Sequence, residues 1–267
     1  MQKETFIKQY AAGLNPQQLA AVQAVHGPVL LLAVPGSGKT TVLVTRLGYM
    51  VLCCDVPPAQ ILTMTYTVAA THEMRGRFAA RFGADLAGQM TFRTINGLSA
   101  VILQYYSRVY GRRQPELLTN EGDITRMLTD IWQQVNREFP TESTLKELRT
   151  AITYIKNMAL ADEEIEGLET DLANLPELYR RYQAALKRAG QMDYDDQMVF
   201  ALQILRAAPP VLAYFQQRYK YFCVDESQDT SKIQHEIIRL LAGRSLNLFM
   251  VGDEDQSIYG FRAAYPQ

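Results

Sequence analysis

The chain has 267 residues, 48% of them apolar and 21% charged, the balance of a folded globular protein with one large or two modest domains. A formal net charge of −1 excludes proteins that wrap DNA through charge alone, but it is compatible with a motor whose DNA groove is locally basic and aromatic. No apolar run approaches the ~20 residues that span a bilayer and the N-terminus does not resemble a secretory signal, so we expect a cytoplasmic protein.

Four short apolar runs predict strands that are buried on both faces of a parallel sheet. The runs occupy residues 29–32, 61–64, 221–224 and 246–251. Helical periodicity occurs before the first run and after each of the first two, at residues 17–25, 40–51 and 69–82. Strand and helix in alternation predict an α/β fold with a doubly wound parallel sheet.

The middle of the chain is different, because its periodicity is helical throughout from about residue 101 to residue 190. An acidic stretch at 162–176 predicts a loop, and Gly190 is the predicted C-terminal cap of the helix that follows it. We therefore expect a sheet domain made of residues 1–100 and 191–267. An all-helical inserted subdomain at 101–190 would interrupt it.

A strand, a glycine-bearing loop and a helix follow one another around Gly36 and Gly38, in the order that a phosphate-binding loop requires. The glycines let backbone N–H groups turn toward a phosphate, and the helix N-terminus adds positive potential. Lys39 can reach the β- and γ-phosphates, and the hydroxyl of Thr40 can bind Mg²⁺. The strict pattern begins with glycine, where this chain has Ala33. The loop predicts ATP and Mg²⁺ as cofactors.

An acidic pair follows the third predicted strand, at the edge where the ligands of open α/β sheets bind. Asp225 is the candidate carboxylate for Mg²⁺, and Glu226 is the candidate general base for water. A solvated acidic turn is the alternative for this pair taken alone. Beside a phosphate loop we favour the catalytic interpretation.

Together these residues resemble the UvrD/Rep/PcrA family of superfamily 1 DNA helicases, whose motifs occur in order along nearly the whole chain. The matching segments are LNPQQ at 14–18, AVPGSGKT at 33–40, TYTVAA at 65–70, TFRT at 91–94, DYDD at 193–196, VDESQDT at 224–230 and VGDEDQSIYGFR at 251–262. The last two segments are long and specific. The resemblance implies a P-loop, RecA-like domain.

The resemblance also implies roles for individual residues. The nucleotide would be bound by Gln18 at the adenine edge and by Pro35, Gly36, Ser37, Gly38, Lys39, Thr40 and Thr41. Gln256 would sense the γ-phosphate and complete a catalytic set with Lys39, Asp225 and Glu226. Single-stranded DNA would be contacted by Tyr66, Thr67, Thr91, Phe92, Arg93, Tyr259, Phe261 and Arg262. Ordinary core packing is the alternative for Tyr259 and Phe261.

A few positions depart from the family's pattern, although none belongs to the predicted catalytic set. Val68 and Ala69 replace the usual Asn-Lys, which puts a phosphate contact there in doubt. Arg93 replaces a common His, and Thr41 stands where many members carry an Arg near the adenine. The segment at 105–113 interleaves aromatic and basic residues, so it is either a DNA contact or a solvated linker with half-buried tyrosines.

The resemblance implies a 3′-to-5′ helicase or translocase that couples ATP hydrolysis to movement on single-stranded DNA. Such motors need a second RecA-like domain, which we expect to lie outside this chain. We therefore expect the chain to bind Mg·ATP, to hydrolyse it slowly and not to unwind DNA alone. The alternatives are the motor half of an AddA- or RecB-like helicase–nuclease, and a non-hydrolysing regulatory module that binds nucleotide or DNA. The presence of a full hydrolytic set argues against the regulatory module.

Overall fold

The computed structural model describes residues 1–34 and 36–253. In this part of the chain the strands are β1 (Val29–Leu32), β2 (Ile61–Thr65), β3 (Thr91–Thr94), β4 (Glu116–Leu117), β5 (Gln191–Met192), β6 (Tyr221–Val224) and β7 (Leu248–Gly252). Five of them form one parallel sheet in the order β1-β7-β6-β2-β3, while β4 and β5 pair separately. The predicted α/β fold with a parallel sheet is confirmed.

Helices flank the sheet and make up most of the middle of the chain. They are α1 (Lys3–Phe6), α2 (Pro16–Gln23), α3 (Lys39–Cys53), α4 (Val68–Phe82), α5 (Ala84–Gln89), α6 (Ile95–Tyr110), α7 (Glu121–Asn136), α8 (Glu142–Asn157), α9 (Asp162–Glu166), α10 (Leu175–Ala189), α11 (Tyr194–Ala207), α12 (Pro209–Arg218) and α13 (Lys232–Ala242). Single turns of other helix types occupy Ile7–Ala11, Pro58–Gln60 and Ser227–Asp229. Among the helices of the described ranges, none is by itself long and apolar enough to cross a membrane, and only the bent pair α11 and α12 passes that test in combination.

Two sequence predictions need correction. The stretch 162–176 is not one loop, because it contains α9 and the first residues of α10. The first turn of α9 is acidic, which suits the positive end of a helix dipole. The region predicted to be helical throughout also contains β4, which pairs in parallel with β5. Gly190 ends α10 in a left-handed conformation, as predicted.

The central sheet separates two hydrophobic cores, because successive side chains of a strand point to opposite faces. On β6, Phe222 and Val224 face the core formed with α6, α11, α12 and α13, whereas Cys223 faces the core formed with α1 to α5. A third core joins α7, α8 and α10 and contains no residue of the central sheet. The helical middle of the chain thus has hydrophobic packing of its own.

The parallel strands bring their carboxyl ends to one edge of the sheet. That edge carries Ala33 after β1, Tyr66 after β2, Ile95 after β3, Asp225 after β6 and Asp253 after β7. The side chains of Thr67 and Thr94 each accept a backbone N–H bond and so start α4 and α6 directly after the strands. Polar groups far apart in sequence therefore meet at this edge.

Candidate active site

The loop between β1 and α3 has a backbone suited to a phosphate group. Gly36 and Gly38 have φ angles of 75° and 84°, in the left-handed region that glycine adopts without steric cost. The buried hydroxyl of Ser37 has no hydrogen-bond partner among the residues that the structure describes. An anion in the loop would provide one, and the N-terminus of α3 adds a favourable dipole. These features fit the predicted nucleotide.

Lys39 is the first residue of α3, and its ammonium group lies over the loop. Its Nζ donates a hydrogen bond to the carbonyl oxygen of Ala33 at 3.1 Å and lies 3.6 Å from Oδ2 of Asp253. The Lys39 side chain is 11% exposed and that of Asp253 is 3% exposed, so solvent screens this pair weakly. An ammonium has three donors, and it can therefore still bind a phosphate oxygen.

Gln18 connects the start of α2 with the phosphate loop. Its Oε1 accepts from the backbone N–H of Asn15 at 3.0 Å, and its Nε2 donates to the carbonyl oxygen of Ser37 at 3.0 Å. A primary amide has two donors and two acceptor lone pairs. One of each therefore remains for the edge of a purine, while the existing bonds fix the orientation of the side chain.

Asp225 and Glu226 follow β6 directly. Burial, together with the negative charge of Glu226, raises the pKa of Asp225 from its usual 3.8 to about 6. Glu226 has a φ of 52°, and this left-handed backbone costs a non-glycine residue on the order of 1 kcal/mol. A divalent cation at this position would offset the cost of burying the charged carboxylate.

Gln228 links Glu226 to the end of β7. Its Nε2 donates to Oε2 of Glu226 at 2.6 Å, and its Oε1 accepts from the backbone N–H of Asp253 at 3.1 Å. Gly252 permits this close approach, since a Cβ there would lie 2.4 Å from Oγ of Ser227. Sequence reasoning did not single out Gln228. The sequence did contain a signal for it. An amide side chain, which can donate and accept hydrogen bonds at the same time, stands two residues after the predicted general base.

The remaining predicted nucleotide residues are partly described. Thr40 and Thr41 lie in the first turn of α3, where Thr40 is half-buried and Thr41 is exposed. Pro35 lies outside the described residues. The same applies to Gln256, Tyr259, Phe261 and Arg262.

Comparison with known proteins places the chain in a family. Residues 14–267 match the family model of the UvrD/REP helicase N-terminal domain. The chain belongs to this family. It is 36% identical over 258 residues to the ATP-dependent DNA helicase PcrA of Leuconostoc citreum, and 33% identical over 256 residues to that of Staphylococcus aureus strain Mu50. Each match covers 94% of this chain and 34% of the relative, so the chain spans about a third of the length of these curated relatives.

The predicted DNA-contact residues differ in where the structure places them. Tyr66 follows β2 at the carboxyl edge of the sheet, and the side chain of Arg93 is exposed near the end of β3. Thr67 is also at this edge, but its hydroxyl accepts from the backbone N–H of Ala70 at 3.0 Å. Tyr66 and Arg93 are therefore the better-placed candidates.

Two other predicted contacts are not supported by their positions. Thr91 pairs with Leu62 at the opposite end of β3, about 10 Å from the carboxyl edge at 3.3 Å per residue. Phe92 is 3% exposed and packs against Phe78 in the core that contains α4. Alternate residues of a strand point to opposite faces, and Phe92 points inward. Thr91 is therefore too far from the carboxyl edge, and Phe92 too deeply buried, to lie on a DNA surface there.

A further aromatic residue, Tyr194, lies near the same sheet edge. Tyr194 is the first residue of α11 and is 55% exposed. Its carbonyl oxygen accepts a hydrogen bond from Nδ2 of Asn96 at 3.1 Å, and Asn96 lies two residues after β3. An exposed aromatic ring thus lies beside the carboxyl edge. Tyr194 belongs to the acidic motif at 193–196, but no role was predicted for it from the sequence.

The aromatic and basic segment at 105–113 packs against the protein only at its start, because residues 108–113 are exposed. The ring of Tyr105 stacks on that of Tyr214 with centroids 4.0 Å apart and meets Phe215 edge-on. Tyr106 is also partly buried against the first core, whereas Tyr110 is 44% exposed. This packing favours the half-buried alternative for the first two tyrosines.

Proposed function

We propose that this chain is the ATP-binding N-terminal portion of an ATP-dependent DNA helicase or translocase that moves 3′ to 5′ on single-stranded DNA. The observation that carries the proposal is the meeting of Lys39, Asp225 and Asp253 at one sheet edge, with Glu226 tied to that edge by Gln228. The relatives named ATP-dependent DNA helicase PcrA support the same activity. The polarity rests on family resemblance.

The proposed organisation has two parts. Residues 1–100 and 191–267 would form the RecA-like ATP-binding domain, and residues 101–190 would form the inserted helical subdomain. The separate core of α7, α8 and α10 supports this division. Because α6 begins at the carboxyl edge and packs in the first core, it would connect the two parts.

The nucleotide would be held by residues from three elements. Gln18 would read the adenine edge, and Gly36, Ser37, Gly38 and Lys39 would hold the phosphates. Within residues 1–34 and 36–253 there is no group of three or more His, Cys, Asp or Glu side chains arranged for a metal ion. Mg²⁺ does not need such a group, because one or two protein oxygens, water and substrate phosphates complete its shell. Thr40 and Asp225 are the residues that fit this role.

The side chains at the edge divide the chemistry of hydrolysis between them. Bound Mg²⁺ would supply charge neutralisation on the phosphate oxygens. Glu226 accepts the proton of the attacking water, and Gln228 holds the carboxylate in one orientation while it does so. Lys39 stabilises negative charge that develops on the transferred phosphoryl group. Gln256 stays the predicted γ-phosphate sensor.

Single-stranded DNA would bind along the same edge, beyond β2 and β3. Tyr66 and Tyr194 would stack on bases, an interaction worth ~1–3 kcal/mol per base and tolerant of sequence. Arg93 would contact the phosphate backbone. Tyr259, Phe261 and Arg262 stay predictions for the same surface.

Steady-state ATP hydrolysis with and without oligo-dT, with Lys39→Ala as the blank, tests the proposal. We expect slow hydrolysis that depends on Lys39 and increases with oligo-dT. Glu226→Gln should lower turnover about 10²- to 10⁴-fold and keep Mg·ATP binding, because it removes only the base. In a regulatory nucleotide-binding module, Glu226→Gln would instead change neither ATP hydrolysis nor Mg·ATP binding. Hydrolysis at an equal rate by Lys39→Ala would contradict the proposal.

A further inference from the structure

A lysine is buried among carboxylates where the helical middle of the chain meets α11. The side chain of Lys156, in α8, is 1% exposed. Its Nζ lies 2.5 Å from Oδ2 of Asp193 and 2.7 Å from Oδ1 of Asp196. The hydroxyl of Tyr182 donates to the same Asp193 oxygen at 3.1 Å. Buried charges persist only when they are paired and hydrogen-bonded in this way.

The next acidic residue of the turn is held by the same helix. Oδ2 of Asp195 accepts from Oγ1 of Thr153 at 3.0 Å, and its Oδ1 accepts from Nδ2 of Asn157 at 2.9 Å. Thr153, Lys156 and Asn157 have the i, i+3, i+4 spacing that places side chains on one face of a helix. One face of α8 therefore binds all three carboxylates of the turn at 193–196.

Tyr194 lies between Asp193 and Asp195 in the sequence. Side chains of α8 bind both of these neighbours. Asp193 and Asp196 also bond each other's backbone N–H groups, at 3.0 and 2.9 Å, and so fix the first turn of α11. On its other side, the Tyr194 carbonyl oxygen is bound by Asn96 after β3. The backbone of this exposed tyrosine is thus fixed from both the helical region and the sheet.

We infer that Lys156, together with Thr153 and Asn157, is a positioning residue for single-stranded DNA binding, which holds the acidic turn so that Tyr194 presents its ring beside β2 and β3. The inference rests on the proposed function. Lys156 does not touch DNA, because its ammonium group is buried. The helical region would then affect DNA affinity through α8 without contributing a contact of its own.

A double-mutant cycle separates positioning from general stability. Lys156→Met removes the ammonium group and keeps most of the buried chain length, and Tyr194→Ala removes the ring. The dissociation constant for fluorescein-labelled oligo-dT is measured by anisotropy for the parent, both single variants and the double variant. Binding of a fluorescent ATP analogue with Mg²⁺ is measured in parallel. Lys146→Met, an exposed lysine on the same helix, is the matched control.

We expect Lys156→Met to weaken oligo-dT binding about 5-fold in the parent and less than about 2-fold in the Tyr194→Ala background, which is the coupling of residues that act through one another. Nucleotide affinity should stay within about 2-fold, because the described residues of the phosphate loop share no bond with this turn. If Lys156→Met does not fold, Thr153→Val replaces it, since it removes one hydrogen bond to Asp195 and keeps the side-chain shape.

Equal weakening in both backgrounds would overturn the inference, since Lys156 would then act on stability rather than through Tyr194. An unchanged affinity in Lys156→Met, with a loss in Tyr194→Ala, would also overturn it and leave the proposed function intact. No effect of Tyr194→Ala would overturn it and remove Tyr194 from the DNA surface. No oligo-dT binding by the parent would contradict the proposed function itself.

Discussion

The ammonium nitrogen of Lys39 lies 3.6 Å from a carboxylate oxygen of Asp253, so a buried ion pair joins the phosphate loop to the end of β7. A carboxylate this close to Lys39 competes with a phosphate for the same cation, because charges interact strongly where water is largely excluded. Gln228 connects the backbone of Asp253 to Glu226. The predicted general base and the predicted phosphate-binding lysine are therefore connected through Gln228 and Asp253.

Asp253→Asn should strengthen the binding of ATP in the absence of Mg²⁺ by about 3- to 10-fold. The amide keeps the side-chain shape but removes the negative charge that faces Lys39, and a tenfold change corresponds to about 1.4 kcal/mol. Fluorescence titration with an ATP analogue in EDTA measures the effect. Asp85→Asn, at an exposed position on α5, is the control. A weaker affinity in Asp253→Asn would show that Asp253 does not compete with the nucleotide.

Asp225→Asn should increase the free energy of unfolding of the chain at pH 7.5 in EDTA. The pKa of Asp225 is about 6 in the folded chain against 3.8 ordinarily, so the folded chain binds this proton more tightly. The ionisation of Asp225 therefore lowers the free energy of unfolding as pH rises from about 4 to about 6. The total loss is about 3 kcal/mol at most. Urea denaturation at pH 4 and pH 7.5 tests this. If Asp225→Asn increases the free energy of unfolding no more at pH 7.5 than at pH 4, the explanation is wrong.

Gly252→Ala should destabilise the chain by about 1–3 kcal/mol, because the added Cβ would lie 2.4 Å from Oγ of Ser227. Ser227→Ala removes that oxygen, so the double variant should recover part of the loss. Gly76→Ala is the control, since a Cβ there meets nothing within 4 Å on α4. Thermal unfolding compares the parent with these four variants. Equal melting temperatures for Gly252→Ala and Gly76→Ala would mean that the turn at Ser227–Asp229 moves away freely.

Tyr66→Ala should weaken oligo-dT binding about 5- to 100-fold, the loss expected for one stacked base. Tyr110→Ala is the matched control, because Tyr110 is exposed at the far end of α6 from the carboxyl edge. Fluorescence anisotropy at one fixed salt concentration measures both. An equal loss in the two variants would place the DNA on the helical region rather than along β2 and β3.

Four of the seven strands that the structure describes were predictable, because each of the four is a short apolar run between turn residues. β1 and β6 have the predicted bounds, and β2 differs by one residue at its end. β7 begins two residues late, because Leu246 has a φ of 44° and belongs to the preceding turn. β3, β4 and β5 were not among the predicted runs, since β3 is short and contains Arg93, and two-residue strands leave no periodicity to detect.

The positions of Lys39, Asp225 and Glu226 were predictable, because each follows a predicted strand or loop, while their roles stay predictions. Contacts between distant segments were not predictable, and Lys156 and Asp193 are 37 positions apart. Phe92 shows a third limit, because membership of a motif does not tell which face of a strand a residue occupies. Its burial depends on α4 packing against β3.

Equilibrium binding of Mg·ATP to the chain and to Lys39→Ala is the most direct test of the proposed site. We expect saturable binding by the parent that weakens when Mg²⁺ is removed, and a loss of about 100-fold or more in Lys39→Ala. Lys146→Ala should bind like the parent. Equal binding by Lys39→Ala, or no binding by the parent, would contradict the assignment of this sheet edge as an ATP site.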